Sequence, residues 1–284
     1  MNVLSQKIRS GLADFSPSER KIARALLADY PSSGLGSVQN LADLANVSSP
    51  SVVRFARHLG FEGFVDFQQA LRNELSLQAN GPLQRLESEF DGKLENDSGI
   101  QPAIDDMSRA LRFSLENIPE YDLEQTIKLL SDPKKRIVIG GGRVSQSLAD
   151  YLARHLQRMR SNVVLLPENR HQRIKYSLDA SRRDVYVFLD FRRYQQDVNE
   201  LAKVIAKQNA TIILLTDVHL SPMSALAKVV LSVITESRWP FDTHIGGFAL
   251  IEVIISKLMQ NLGQAAVERM QDWDQLDSSN INGK

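Results

Sequence analysis

Three arginines follow short apolar runs of the sequence, where their guanidinium groups could bind an anion. Arg192 directly follows the run VYVFLDF and Arg193 is the next residue, while Arg143 directly follows the run RIVIGGG. A guanidinium is a planar, permanently charged fork that can hold a carboxylate or a phosphate through two hydrogen bonds. If both runs are parallel strands of one sheet, their carboxyl ends lie where such sheets bind ligands. Ser145 and Ser147 can add hydroxyl donors, so the sequence predicts a crevice for a small anionic effector.

An internal ion-pair network is the competing explanation for the same charges. Asp190 could pair with either of the two arginines that follow it, and Asp184 could pair with Arg182 or Arg183. Such pairs would lock the loop and leave a pocket without a ligand, because structural charge networks often resemble sites.

The elements that would position these arginines are short strands alternating with helices. Each of five apolar runs is too short for a normal helix, is rich in Val and Ile, and precedes an amphipathic segment such as YQQDVNELAKVIAKQ. The pattern predicts an α/β domain, at about residues 105–263, with a five-stranded parallel sheet covered on both faces. The runs are RIVIG, NVVLL, VYVFL, TIILLTD and VVLSVI.

Residues 1–77 have a different pattern, which predicts an all-α domain. In SPSERKIARALLADY, Ser16 can cap a helix that has Pro17 at its first position and Glu19 at the capping-box position. Residues 78–104 mix Gly, Pro, Asn, Asp and Ser with weak periodicity, which indicates a linker. Residues 264–284 are predicted to be a C-terminal tail, and its end, WDQLDSSNINGK, is predicted to be frayed.

Within the helical domain, two short helices are separated by a tight turn at NVS. Ser37 is expected to cap the first helix, which buries Leu41, Leu44 and Ala45, and Ser49 is expected to cap the second. The second helix should turn Val52, Phe55, Ala56 and Leu59 to the core, which leaves Ser51, Arg54, Arg57 and His58 outward.

The outward face of this second helix suits the major groove of DNA. No acidic residue occurs between Asp43 and Glu62, and small residues at the amino end would let the helix approach the bases. Arginine can bond phosphates or guanine edges. A solvated arginine face on an ordinary helical hairpin would have the same spacing.

The run VSSPSVVRFARHLGFEGFVDFQQAL closely resembles the helix-turn-helix domain of the RpiR/MurR family of bacterial transcriptional regulators. That family has a Ser-Pro-x-x-Val-x-Arg-Phe core before Leu-Gly-Phe and an aromatic-rich helix, and FSPSERKIARALLADY resembles its first helix. The resemblance covers about residues 1–77 and implies binding to double-stranded operator DNA. The predicted DNA-contacting residues are Ser49, Ser51, Arg54, Arg57 and His58.

The same family joins this domain to a sugar isomerase (SIS) domain that senses a phosphosugar, and the strand and helix alternation here is similar to it. In the family the first strand ends in a Gly-x-Gly-x-Ser loop. Placing Ser145 on the family serine puts Gly141 on the first glycine and Arg143 on the second.

The third strand departs further from the family pattern. The family loop is Ser-x-Ser-Gly-x-Thr, whose backbone amides and hydroxyls cradle phosphate. In this sequence Asp190 and Arg192 occupy the positions of the two serines, Arg193 occupies that of the glycine and Gln195 that of the threonine. The hydroxyl cradle is absent, and arginines occupy its place.

Composition limits the partners and the compartment. Lys plus Arg and Asp plus Glu are 34 each, so DNA binding must come from local charge. The absence of cysteine excludes a disulfide scaffold and a thiolate metal site, and no motif indicates a cofactor or a metal. The N-terminus has no signal-peptide h-region, and the best apolar window, FALIEVIISKLMQNL, holds Glu252 and Lys257. We expect a soluble, cytoplasmic protein that does not enter a membrane.

The broad apolar surface of that window could pack on the sheet and on another subunit, or lie buried within one subunit. The family resemblance favours a homodimer or homotetramer, and a dimer lets a helix-turn-helix protein contact two half-sites.

Two other function classes compete with a regulator. A phosphosugar isomerase would need a general base near the substrate carbon. Glu236, Glu252, His171 and His244 are available, but they form no recognisable catalytic constellation. We therefore predict that the chain is not an enzyme. A DNA-binding protein whose SIS-like domain only dimerises is the other alternative.

Overall fold

The computed structural model describes residues 4–12, 14–79, 99–237 and 239–281, together with Leu83 and Leu86. The N-terminal domain is helical, as the sequence predicts, and Ser16 and Glu19 form the expected capping box at its second helix. Its helices are α1 (Leu4–Ser10), α2 (Pro17–Ala28), α3 (Val38–Ala45), α4 (Ser49–His58) and α5 (Phe64–Ala79), with a 3-10 turn at Ser32–Gly34.

The core of this domain forms around α4. Val52, Phe55, Ala56 and Leu59 are all buried, as their helical spacing predicts. Leu44 is 65% exposed, so its predicted burial is wrong. It lies on α3 beyond the stripe that contacts the core, and the buried members of that stripe are Leu41, Ala42 and Ala45.

The helix caps are partly as predicted. Ser37 caps α3, since its Oγ accepts a hydrogen bond from the Asn40 amide at 3.1 Å. The predicted cap at Ser49 is wrong because α4 already includes Ser49 and the cap position is Ser48. The Ser49 hydroxyl instead donates to Gln39 Oε1 at 2.7 Å, which ties α4 to α3.

The C-terminal domain has the predicted five-stranded parallel sheet, in the order β2-β1-β3-β4-β5. Its strands are β1 (Arg136–Gly141), β2 (Val163–Leu165), β3 (Asp184–Asp190), β4 (Thr211–Asp217) and β5 (Val229–Val233). Its helices are α6 (Gln101–Glu116), α7 (Glu120–Ser131), α8 (Gln146–Met159), α9 (Arg170–Leu178), α10 (Gln196–Lys207), α11 (Ile245–Leu262) and α12 (Gln264–Ile281), with a 3-10 turn at Pro222–Ala225.

Both faces of the sheet are buried because residues of the helices pack on each of them, and successive strand residues point to opposite faces. Ile137 and Ile139 of β1 pack on one face, whereas Tyr186 and Phe188 of β3 pack on the other. The chain leaves β1 for β2 on one side and reaches β3 on the other, so the strand order reverses between β1 and β3. That reversal opens a crevice at the carboxyl ends of these two strands.

The limits of the α/β domain differ from the sequence prediction at both ends. Helix α6 begins at Gln101, inside the predicted linker of residues 78–104, most of which lies outside the described residues. The predicted frayed tail is wrong up to Ile281, because it forms α12. Ala266 is fully buried and Met270 packs on the main core, so this helix is part of the domain.

Helix α11 is, within the described part of the chain, the one helix long and apolar enough to cross a membrane. Leu250, Ile251, Ile254 and Leu258 are nevertheless fully buried in the core beside the sheet. This part of its apolar surface is used within one subunit, whereas Phe248 on the same helix is 37% exposed.

Candidate effector site and DNA-binding surface

A crevice of about 330 Å³ lies at the carboxyl ends of β1 and β3. Its walls are residues 142–145 after β1, residues 190–193 and 195 around the end of β3, and residues 241, 242 and 244 before α11. Helices α8 and α10 both begin at its edge, so the positive ends of two helix dipoles point towards it. The structure thus brings the two predicted loops together.

The first loop is shaped by Gly141 and Ser145. A Cβ on Gly141 would lie 2.6 Å from the backbone of Ser145, so this tight turn requires glycine. The Ser145 hydroxyl accepts from the Gly142 amide at 2.8 Å and donates to the Leu189 carbonyl at 2.6 Å. It is buried and joins the ends of β1 and β3. Ser147, which is also predicted to bind the effector, is exposed and lies outside the crevice walls. Its hydroxyl donates a hydrogen bond to the Val144 carbonyl.

Arg192 is held in an ion pair inside the crevice wall. Its side chain is 5% exposed and donates through Nε and Nη2 to the two carboxylate oxygens of Asp242. The alternative of an internal ion pair therefore holds for Arg192, but the partner is not Asp190. That carboxylate accepts a short hydrogen bond from the hydroxyl of Ser221.

The other proposed pair also has a different partner. Asp184 binds Arg136 through two hydrogen bonds of 2.9 Å, not Arg182 or Arg183. Both partners sit at the amino ends of neighbouring strands, where the parallel register places Arg136 beside Asp184.

Arg143 and Arg193 are the available cations of the crevice. Both are exposed and line it, and neither guanidinium makes a hydrogen bond or ion pair to another residue that the structure describes. Arg193 has a φ of 67°, in the left-handed region that favours glycine. Gln195 stands opposite the first loop, near Gly142. The site therefore presents two free guanidinium groups above a wall in which the third is neutralised.

Asp190 and His244 are wall residues whose pKa values are shifted by burial. Burial raises the pKa of Asp190 to about 7, helped by the negative charge of Asp217 and opposed by the hydrogen bond from Ser221. Burial lowers the pKa of His244, whose Nδ1 is buried and has no hydrogen-bond partner among the residues that the structure describes. A neutral imidazole at this place can accept or donate one hydrogen bond to a ligand.

The sequence-based prediction missed a third segment of the crevice wall. Phe241 and Asp242 line the crevice, Asp242 lies 50 residues beyond Arg192, and no local motif ties the two to the first two loops. Their only sequence signal is an acid between aromatic and histidine residues next to Pro240.

The second helix of the helix-turn-helix presents the predicted polar face. Arg54 and Arg57 are exposed: Arg54 Nη2 donates to Ser51 Oγ at 2.9 Å, and Arg57 Nε donates to the Glu62 carbonyl at 3.2 Å. His58 contacts Glu19 of α2, with Nδ1 and Oε1 separated by 2.7 Å. Of the predicted DNA-contacting side chains, the two arginines are therefore the cations without an acidic partner among the described residues.

Two protein-family models match the chain: the rpiR-family helix-turn-helix domain at residues 1–78 and the SIS domain at residues 129–259. The chain belongs to the RpiR family. Like other proteins of this kind, it is a helix-turn-helix transcriptional regulator with a C-terminal SIS domain.

Several relatives resemble this RpiR-family chain over most of its length. The HTH-type transcriptional regulator HexR of Escherichia coli is 27% identical over 89% of this chain and 86% of its own. An uncharacterised HTH-type transcriptional regulator of Providencia stuartii is 26% identical over 81% of this chain and 80% of its own.

Solved structures share the fold of this RpiR-family chain. The NanR protein of Vibrio vulnificus, complexed with ManNAc-6P, has a TM-score of 0.56 at 19% identity and covers 99% of this chain and 100% of its own. The sugar isomerase domain of an RpiR transcription factor from Sphaerobacter thermophilus has a TM-score of 0.58 at 18% identity, covering 64% of this chain and 99% of its own.

Proposed function

We propose that this regulator senses a small anionic metabolite, a phosphosugar or a carboxylate, in the crevice and thereby modulates its binding to operator DNA. The observation that carries the proposal is the pair of exposed, unpaired guanidinium groups of Arg143 and Arg193 at the mouth of the crevice. A phosphate or carboxylate between them would form charge-assisted hydrogen bonds and face the amino ends of α8 and α10.

A phosphosugar is the effector class that we favour. The fold neighbour NanR is complexed with a sugar phosphate, ManNAc-6P. In this crevice Asp190 and His244 offer hydrogen-bonding groups for sugar hydroxyls, whereas a simple carboxylate would leave both without a ligand partner. The guanidinium groups would replace the hydroxyl cradle expected from the family motif.

Binding should be tested by isothermal titration of the full chain with N-acetylmannosamine 6-phosphate, glucose 6-phosphate, a dicarboxylate and inorganic phosphate. Arg143→Ala and Arg193→Ala should each lower the affinity for the preferred anion at least about tenfold, which is the usual effect of losing a charge-assisted hydrogen bond. Lys203→Ala, on the exposed face of α10, is the matched control. An affinity that neither arginine variant changes would contradict this site.

The DNA-binding proposal places Ser49, Ser51, Arg54, Arg57 and His58 at the operator. Its support is the exposure of both arginines on the second helix of the helix-turn-helix. A gel shift with the DNA upstream of the protein's own gene, at several salt concentrations and with each candidate anion, tests binding and its modulation together. If the protein does not bind this DNA at low salt, the proposal that these residues contact the operator is refuted.

Of the four candidate bases of the isomerase alternative, His244 lines the crevice and the other three do not. Glu236 contacts His219, Glu252 contacts Tyr151, and neither lines the crevice walls. His171 is exposed on α9, outside those walls. An assay for aldose-ketose conversion of each sugar phosphate that binds would distinguish this class from a sensor, for which we expect no turnover.

We further propose a homodimer or homotetramer, and a soluble, cytoplasmic protein. The exposed side of α6 carries Ile104, Met107 and Leu111 at a 3,4 spacing, continued by Ile100 before the helix. This spacing is typical of the seam between two packed helices. We define these residues as the α6 stripe, and a second copy of α6 in antiparallel orientation fits it, because Ile104 would lie beside Met107 and Ile100 beside Leu111.

A further inference from the structure

A short loop between β4 and the following 3-10 turn contacts both the crevice and the DNA-binding domain. We call residues 217–221 the bridging loop. On the crevice side, Ser221 Oγ donates a short hydrogen bond to Asp190, a crevice wall residue. Asp217 Oδ1 accepts from the Tyr194 hydroxyl at 2.8 Å, and Tyr194 lies within the second crevice loop. A ligand that shifts this loop therefore acts directly on the bridging loop.

On its other side the bridging loop enters the helical domain. Leu220 is 1% exposed and belongs to the core of that domain, together with Ile8 of α1 and Phe15. Its φ of 65° is a left-handed conformation that leucine rarely adopts. The Ser5 hydroxyl of α1 donates a short hydrogen bond to the Val218 carbonyl. The loop thus inserts a side chain into the domain that contacts DNA.

His219 joins the two domains electrostatically. It is 2% exposed; its Nε2 lies 3.4 Å from Glu236 Oε1 and its Nδ1 lies 4.0 Å from Glu74 Oε2. Although burial opposes the charge, the two carboxylates raise the pKa of His219 to about 9. At neutral pH a buried imidazolium therefore stands between a carboxylate of the DNA-binding domain and one of the SIS domain.

Glu74, which His219 contacts, also forms hydrogen bonds with other parts of the helical domain. Its carboxylate also accepts from the Leu4 amide at 2.9 Å and from the Tyr30 hydroxyl. It therefore links α5, the start of α1 and the end of α2. Because separating a buried ion pair leaves an uncompensated charge, the position of His219 constrains all three elements.

We propose that the bridging loop transmits the state of the crevice to the DNA-binding domain, with His219 and Leu220 as the two contacts that fix the position of that domain. A ligand that moves Asp190 or Tyr194 shifts the loop, and the shift changes how α1 and α5 dock. This inference rests on the proposed function in one respect, because it takes the crevice to be the effector site.

Hydrogen exchange of the full chain tests the connection without any ligand. Asp190→Ala removes the group that accepts from Ser221, and Asp179→Ala, an exposed surface change of the same kind, is the matched control. We expect Asp190→Ala to raise amide exchange in α1 and α5 several-fold and Asp179→Ala to leave it unchanged. An effect of Asp190→Ala confined to the SIS domain would overturn the inference.

Transmission of a ligand signal is tested with N-acetylmannosamine 6-phosphate as the probe. In His219→Gln we expect crevice affinity within about twofold of wild type, while the change in operator affinity caused by the probe falls to nearly none. Glu74→Gln, which keeps the size and hydrogen-bonding capacity of the side chain, is the second variant if His219→Gln does not fold. A probe effect on operator affinity that persists in the folded variant would overturn the inference.

The two proposals fail in different ways. If the wild type binds the probe and the other anions only outside the crevice, the effector proposal fails, whereas the exchange result still decides whether the bridging loop connects the two domains. If the wild type responds to the probe and the variants respond equally, only the bridging-loop inference fails.

Discussion

At the scale of single residues, Arg193 combines a strained backbone with a free charge. Its left-handed φ of 67° suits glycine, the residue that the family motif has at this place. We expect Arg193→Gly to keep the thermal midpoint within a few degrees of wild type, because relief of strain offsets the greater entropy of the unfolded chain. Anion affinity should fall at least about tenfold. Calorimetry and titration measure the two effects, and Arg193→Ala, which keeps the strain, is the control.

An unchanged anion affinity in Arg193→Gly would show that this guanidinium does not contact the effector. A large loss of stability in the glycine variant, with none in Arg193→Ala, would contradict the account of backbone strain.

Asp190 gives the crevice a pH-dependent stability. Its pKa of about 7 lies above that of an unfolded aspartate, mainly through burial, so the folded state retains a proton that the unfolded state has lost. The contribution of Asp190 to stability should therefore decline as pH rises from about 4 to about 7. We expect Asp190→Asn to be more stable than wild type above pH 7 and to lose that advantage near pH 4, in thermal unfolding across this range.

Asp179→Asn serves as the comparison, because Asp179 is an exposed carboxylate paired with Lys175 on the surface. A difference between Asp190→Asn and wild type that does not vary with pH would contradict the protonation of Asp190 near neutrality.

At the scale of elements, α4 should carry most of the DNA affinity. Arg54→Ala and Arg57→Ala should each weaken operator binding roughly 5- to 150-fold if the side chain contacts a base, and should reduce the salt dependence by about one ion if it contacts a phosphate. Fluorescence anisotropy at several salt concentrations distinguishes the two cases. Arg72→Ala, on α5 and bonded to neighbouring glutamines, is the control.

His58 provides a contrast on the same helix. Because its ring is held by Glu19, we expect His58→Ala to change operator affinity less than either arginine variant. Equal losses for all three substitutions would indicate a general distortion of α4 and contradict specific contacts by the arginines.

At the scale of the whole molecule, the α6 stripe predicts how two copies meet. In an antiparallel pair with Ile104 of one helix beside Met107 of the other, Ile100 lies beside Leu111, so the two stripes cover each other. Ile104→Glu and Leu111→Glu should each weaken the dimer, because each places a charge in this apolar contact. Sedimentation velocity over a range of concentrations measures the effect, and Met107→Lys should give monomers.

Lys128→Glu, on α7 away from the stripe, is the control for a general effect of charge. Dimers of unchanged affinity in all the α6 variants would exclude this surface as the interface between copies.

The sequence alone determined the two domains, the order of helices and strands and the place of the crevice. These follow from local rules: a period of 3.6 or 2 in the apolar residues, caps at helix ends, and the positions of strand ends in a parallel sheet. Val52, Phe55, Ala56 and Leu59 of α4 were predictable because their spacing repeats within a single helix. So was the meeting of Arg143 with Arg193, since both follow strands that become neighbours.

The tertiary structure decided which of these charges remain free. Arg192 is neutralised by Asp242, and Asp190 is held by Ser221, from segments 50 and 31 residues away. His219 gains Glu74 from the other domain, across 145 positions of the chain. Side-chain pairing depends on distances of a few ångströms after folding, and sequence periodicity carries no information about such long-range contacts. The sequence thus located a cationic crevice, and only the folded chain showed which of its cations have no partner among the described residues and which loop contacts both the crevice and the helical domain.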